Sequence, residues 1–154
     1  MPKFGQRSES NLRLVHPVMV TIVRSVIVFH DFTVLDGWRD HDTQHRLFLA
    51  GASKLDWPNS THCHMRSDEL GRLVPCSLAI DLAPWYTSEP HIRWNAVNDF
   101  ALLAGRIIQT ADLLGYSVRW GGDWNRNNST TDNTFNDYGH FELARDYEEA
   151  PNAT

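Results

Sequence analysis

The sequence predicts an α+β fold: helices packed on one face of a small, mostly antiparallel sheet whose other face carries a functional site. Three observations carry that expectation. The run Leu78-Ala79-Ile80-Asp81-Leu82-Ala83-Pro84-Trp85 alternates aliphatic with small residues and stops at Pro84, as a short strand does. From Trp94 to Leu114, residues Val97, Phe100, Ala101, Ala104, Ile107, Ile108, Ala111 and Leu114 fall on one helical stripe that Gly115 terminates. With 154 residues and 42% hydrophobic content, the chain suits one domain with one core, so residues 1–154 are expected to form a single unit.

The remaining elements follow in order. Ser8-Glu9-Ser10 offers helix-starting chemistry ahead of Asn11 to Val15. His16-Pro17 opens a second helix with Pro at its first position, and Val18 to Phe29 is long enough to read as a buried helix despite its β-branched residues. Arg24 interrupts that run, which falls short of the roughly 20 apolar residues of a membrane span, so no membrane insertion is expected. Phe32 to Leu35 reads as a strand turning at Asp36-Gly37, and Asp40 to Ala50 as a short amphipathic helix ended by Gly51. Leu55 to Asn59 is a loop; Met65 to Pro75 is a polar, exposed insertion. Tyr116 to Trp120 is a strand, Gly121-Gly122 a sharp turn, and 123–134 an Asn-, Thr- and Ser-rich surface loop placed to act as a lid. His140 to Ala144 is a strand that sets His140 and Glu142 on one face. The tail after Arg145 is acidic, and past Pro151 disorder is expected.

The chemistry begins with Asp81. In a strand, Leu78, Ile80 and Leu82 share one face while Asp81 sits among alanines on the other, and a carboxylate there needs a cation, a metal or several donors. Histidine and carboxylate together suit zinc, which in catalytic sites takes three protein ligands and leaves a fourth position for water. His62, Asp81 and His140 make such a set. The net charge of −5, with no Lys/Arg run, argues against nucleic acid as a partner. The polar start, Met1 to Ser8, lacks the apolar core of a secretory signal. Cys63 and Cys76 leave three readings open: free thiols, a disulfide closing the insertion, or a structural zinc shared with His64.

Ser60-x-His62, Ala79-x-Asp81 and Asp137-x-x-His140-Phe141-Glu142, with Trp120-Gly121-Gly122-Asp123-Trp124 between them, resemble the zinc peptidases that cut bacterial cell-wall peptides. Asp36-Gly37-Trp38-Arg39, Gln44 and Gly51-Ala52-Ser53-Lys54 match the usual lead-in, so the resemblance covers nearly the whole chain. That family, of Hedgehog/DD-peptidase-like architecture, includes D-alanyl-D-alanine carboxypeptidases and phage L-alanyl-D-glutamate endolysins. The resemblance implies a zinc hydrolase of the peptidoglycan stem peptide, acting on the L-alanyl-D-glutamate bond. It implies Asp137 as the base toward the attacking water and Arg39 as a partner for substrate carboxylate or oxyanion. Glu142 is the alternative base or a brace for His140, and Gln44 is expected to brace the fold.

The long insertion after His62 leaves His64 as a rival ligand. Ser60, Trp85, Tyr86 and Asp123 are candidate substrate contacts, with His91 beside them; capping is the plainer role for Ser60 and a turn for Asp123. The resemblance implies that residues 1–154 form one catalytic zinc peptidase domain with no separate cell-wall-binding domain, a monomer resident in the host cytoplasm until released to the wall. Two other functions remain open: a D-alanyl-D-alanine carboxypeptidase, or a zinc-bearing wall-binding module without turnover.

Overall fold

A computed structural model describes residues 1–144, and the acidic tail from Arg145 lies outside the described residues. Four helices, α1 (Gln6–Leu12), α2 (Pro17–Ile27), α3 (His41–Leu49) and α4 (Val97–Leu113), accompany six strands. These are β1 (Phe32–Asp36), β2 (Met65–Ser67), β3 (Leu73–Pro75), β4 (Ala79–Pro84), β5 (Val118–Trp120) and β6 (His140–Leu143). The main sheet runs β1-β4-β6-β5 with every pair antiparallel, and β2 and β3 form a separate hairpin. The fold is α+β. No helix of the described residues is long and apolar enough to cross a membrane.

Period-two alternation divides the sheet into two faces. Ile80, Leu82, Phe141 and Leu143 turn inward and are essentially inaccessible. Against them pack Met19, Ile22, Val23 and Val26 of α2 and Leu103, Ala104, Ile107 and Ala111 of α4. The register Asp81↔His140 and Ala79↔Glu142 puts the polar members of β4 and β6 side by side on the opposite face. α3 contributes no residue to the core and instead borders the polar face through Gln44.

β1 carries a bulge between Val34 and Asp36. Val34 pairs with Leu82, and the extra residue then brings Asp36, not Leu35, opposite Asp81. The kink therefore aims a second carboxylate at the polar face.

Three expectations change. α1 starts earlier, at Gln6, because Ser8 and Asn11 are used sideways and not as caps. Ser8 Oγ receives Val34 N–H at 3.0 Å, and Asn11 Nδ2 donates to the carbonyls of Val34 and Leu35 at 3.0 Å each, closing the free edge of β1. The insertion at 65–75 is exposed as expected but is a regular hairpin, its turn tied by Asp68, whose Oδ1 accepts the N–H groups of Leu70 and Arg72. α4 opens at Val97, which with Leu114 is exposed, while Leu103 takes a place in the core. Both cysteines are buried and no disulfide joins them in this structure, and His64, Cys63 and Cys76 make no metal cluster among the described residues.

Candidate active site

Two histidines and one aspartate converge from three separate elements. His62 comes from a single 3₁₀ turn, Thr61–Cys63, whose first N–H groups are capped by Ser60: its hydroxyl accepts His62 N–H at 3.3 Å. Asp81 comes from the middle of β4 and His140 from the first position of β6. His62 Nε2 lies 3.3 Å from both His140 Nδ1 and Asp81 Oδ1, and His140 Nδ1 lies 3.2 Å from the same oxygen. These three atoms form a nearly equilateral triangle.

The remaining nitrogens decide what that triangle can hold. His62 Nδ1 is 2.6 Å from the Gly37 carbonyl, which can only accept, so the proton sits on Nδ1 and the Nε2 lone pair faces the triangle. His140 Nε2 lies 2.9 Å from Glu142 Oε2, which by the same reasoning turns the Nδ1 lone pair inward. Three lone-pair donors facing one another at this range repel unless a cation sits among them. Three corners of a tetrahedron with bonds of roughly 2.0 Å are themselves separated by roughly 3.3 Å, so the donor set has the chemistry and the spacing of a zinc site. Without a metal, burial favours neutral His140 but is outweighed by Asp81 and Glu142, which lift its pKa to about 9. For Asp81, burial is outweighed by His62 and His140, which hold its carboxyl well below the usual range.

Supporting groups hold each member in place. Arg39 Nη2 binds Asp81 Oδ2 at 2.7 Å and its Nε binds Asp36 Oδ2 at 2.5 Å, leaving Asp81 Oδ1 for the triangle. The guanidinium expected to meet substrate carboxylate or oxyanion is shared by two of the protein's own carboxylates. Gln44, fully buried, accepts from Arg39 Nη1 at 3.4 Å and donates to Ser53 Oγ and the Leu55 carbonyl at 2.8 and 2.5 Å. Glu142 accepts from His140, from Thr61 Oγ1 at 2.9 Å and from Arg119, whose Nε is also 2.9 Å away. Burial raises the Glu142 pKa, but these donors outweigh it and bring the value down to about 2. It stays ionised, which suits an acceptor and not a proton carrier.

Asp137 lines the same cavity as the triangle. Its main chain is tied to a tight approach: Asp137 N–H donates to the Gly121 carbonyl at 2.8 Å, and a Cβ on Gly121 would lie 2.2 Å from the Asp137 carbonyl oxygen. Burial, and then the charge of Asp81, push its carboxyl above the ordinary carboxylate range.

Other candidates fall elsewhere. Trp85 stacks on His91 with ring centroids 4.6 Å apart, and Tyr86 donates its hydroxyl to Asp99; none of these lines the cavity around the triangle. Asp123 accepts the N–H groups of Asn127 and Asn128 at 3.1 and 2.9 Å, so it shapes the loop. His64 turns to the Cys76 carbonyl at 2.9 Å, away from the triangle. Trp124, 5.4 Å from the His140 ring, and Phe135 bring the 123–136 segment to the cavity as a wall. Thr61, Lys54, Arg119 and the Gly37 carbonyl belong to the site, yet the sequence gives none of them a role. Gly37 and Lys54 lie in the lead-in motifs, and Arg119 stands two residues before Gly121 on a strand beside the site.

The phage L-alanyl-D-glutamate peptidase family model matches residues 1–144. The L-alanyl-D-glutamate peptidase of Escherichia phage T5 is 30% identical over 147 residues, covering 92% of this chain and 97% of that protein. Among solved structures, the L-Ala D-Glu endopeptidase ChiX of Serratia marcescens superposes with a TM-score of 0.71 at 28% identity, covering 94% of this chain and 93% of that one. On the match over the whole described length and on the relatedness to the T5 enzyme, the chain belongs to the phage L-alanyl-D-glutamate peptidase family.

Proposed function

We propose that this chain is a zinc-dependent endopeptidase that cuts the peptidoglycan stem between L-alanine and D-glutamate, acting as a single catalytic unit. The observation that carries the reading is the triangle of His62 Nε2, Asp81 Oδ1 and His140 Nδ1, 3.2–3.3 Å on a side, with an acid of raised proton affinity in the same cavity. The bond is the one for which the related peptidases are named.

When bound, zinc would supply Lewis acidity and a water acidified to near pH 7. The protein's own groups do the rest. Gly37 and Glu142 fix the two imidazole tautomers, and Arg39 holds Asp81 so that Oδ1 alone faces inward. The Asp137 carboxylate takes a proton from the attacking water and passes it to the nitrogen of the departing D-glutamyl residue, so the proton count balances over the cycle. Burial beside Asp81 makes that carboxylate a stronger base than a solvated one. Arg39, engaged with Asp36 and Asp81, acts by positioning Asp81.

Digestion of purified sacculi tests the reading. New amino termini of D-glutamate, lost on chelation and restored by zinc, are the expected products. Free D-alanine instead would identify a carboxypeptidase, and sedimentation with the wall without any fragment would identify a binding module.

A further inference from the structure

Two cavities meet at Asp81 and Asp137. One lobe is walled by Lys54, Arg119, Trp124 and Phe135, the other by Asp36, Trp94, Phe100 and Tyr138, and both include the two aspartates. A substrate whose reacting bond sits at these aspartates therefore lays one half in each lobe. The lobes differ in charge. In the second, the charged residues are Asp36, Asp81 and Asp137, all acidic. The first sets three long cations, Arg39, Lys54 and Arg119, against the carboxylates of Asp81, Asp137 and Glu142.

Two of those cations are committed. Arg39 binds Asp36 and Asp81; Arg119 gives Nε and Nη2 to Glu142. Lys54 is exposed, with Nζ 4.2 Å from the centroid of the Phe135 ring, and has no carboxylate partner among the described residues. Its neighbours are pinned: Ser53 Oγ and the Leu55 carbonyl both accept from the buried amide of Gln44. The stem of the lysine is thus anchored at its base while its ammonium rests on an aromatic face at the cavity wall, a contact an arriving anion can share.

Resting on the L-alanyl-D-glutamate reading, we propose that Lys54 recognises the free carboxylate of the D-glutamyl residue. A glutamyl residue that continues the chain through one carboxyl keeps the other ionised, whichever carboxyl is used. The leaving half then lies in the lobe of Lys54 and Phe135, and the alanyl half in the lobe of Trp94 and Phe100.

The test uses two synthetic stem peptides, one with the free D-glutamyl carboxylate and one with that group as the carboxamide, and compares kcat/KM for the zinc-loaded wild type, Lys54→Met and Lys54→Arg. A single charge-assisted hydrogen bond at a partly solvated site predicts about a tenfold preference of the wild type for the acid. Lys54→Met should bring that ratio close to one, and Lys54→Arg should keep it. A preference that survives in Lys54→Met, or a wild type that cuts both peptides equally, overturns the assignment of Lys54 while leaving the bond assignment standing. If the wild type cuts neither peptide, the bond assignment fails and this inference falls with it.

Discussion

Glu142 and Asp137 have different roles in this account, and each sets an expectation. Glu142 orients His140 through Nε2, and loss of such an outer partner typically weakens a metal site 10–100-fold. Glu142→Gln should therefore raise the zinc dissociation constant by about that factor, read by competition with a chelating dye. Asp137→Asn should behave differently, lowering kcat by roughly 10²–10⁴-fold with zinc content unchanged, as a general base does. Full activity in Asp137→Asn would return the proton-transfer role to Glu142.

Glu142 and His140 together predict the pH response of the metal-free protein. Glu142 falls to about 2 from 4.5, so its contribution is present above pH 4.5 and is lost as the pH drops toward 2. His140 rises to about 9 from 6.5, so its contribution is present below pH 6.5 and is lost as the pH climbs through 9. Denaturant midpoints of chelator-treated protein should peak between about pH 4.5 and 6.5 and decline on both sides.

At this scale the sequence was legible where a motif fixes a side chain and silent where the partner is backbone or distant. His62, Asp81 and His140 stood out by type and spacing. The Gly37 carbonyl, which sets the His62 tautomer, is invisible in a string of side chains, and the commitment of Arg39 to Asp36 needs the bulge in β1. Trp85 follows the Asp81 strand in sequence but sits beyond the end of β4, four residues from the aspartate and outside the lining of the cavity.

At the scale of elements, the site is a product of register. β4 and β6 pair so that Asp81 meets His140 and Ala79 meets Glu142, and β5 adds Arg119 opposite Glu142. The turn that follows β5 carries Asp137 into place: Gly121 lies against Asp137, and the close approach leaves no room for a methyl group. Gly121→Ala should displace Asp137 and reduce kcat at least tenfold, while zinc content stays near one per chain because the triangle lies on other backbone. Equal activity in that variant would show that Asp137 does not need its present backbone position. Long periodic elements, α2, α4 and β4, were legible to within a few residues at their ends because their stripes span several turns or pairs. The hairpin of β2 and β3 escaped because strands of three residues are too short to show an alternating burial pattern.

For the molecule as a whole, one sheet separates an apolar core from a polar site, and stability and chemistry should be separable by mutation. Phe141, fully buried between His140 and Glu142 in sequence, faces the core; Phe141→Ala should cost about 3–5 kcal/mol in chemical denaturation. A bound ion should add to stability by linkage, so chelation should lower the melting temperature and zinc should restore it.

The most direct measurement is anomalous diffraction at the zinc edge from crystals of the zinc-loaded protein. The account predicts one peak per chain, roughly 2.0 Å from His62 Nε2, Asp81 Oδ1 and His140 Nδ1. A peak on His64 or the cysteines, or an active protein with no peak at the triangle, would contradict it.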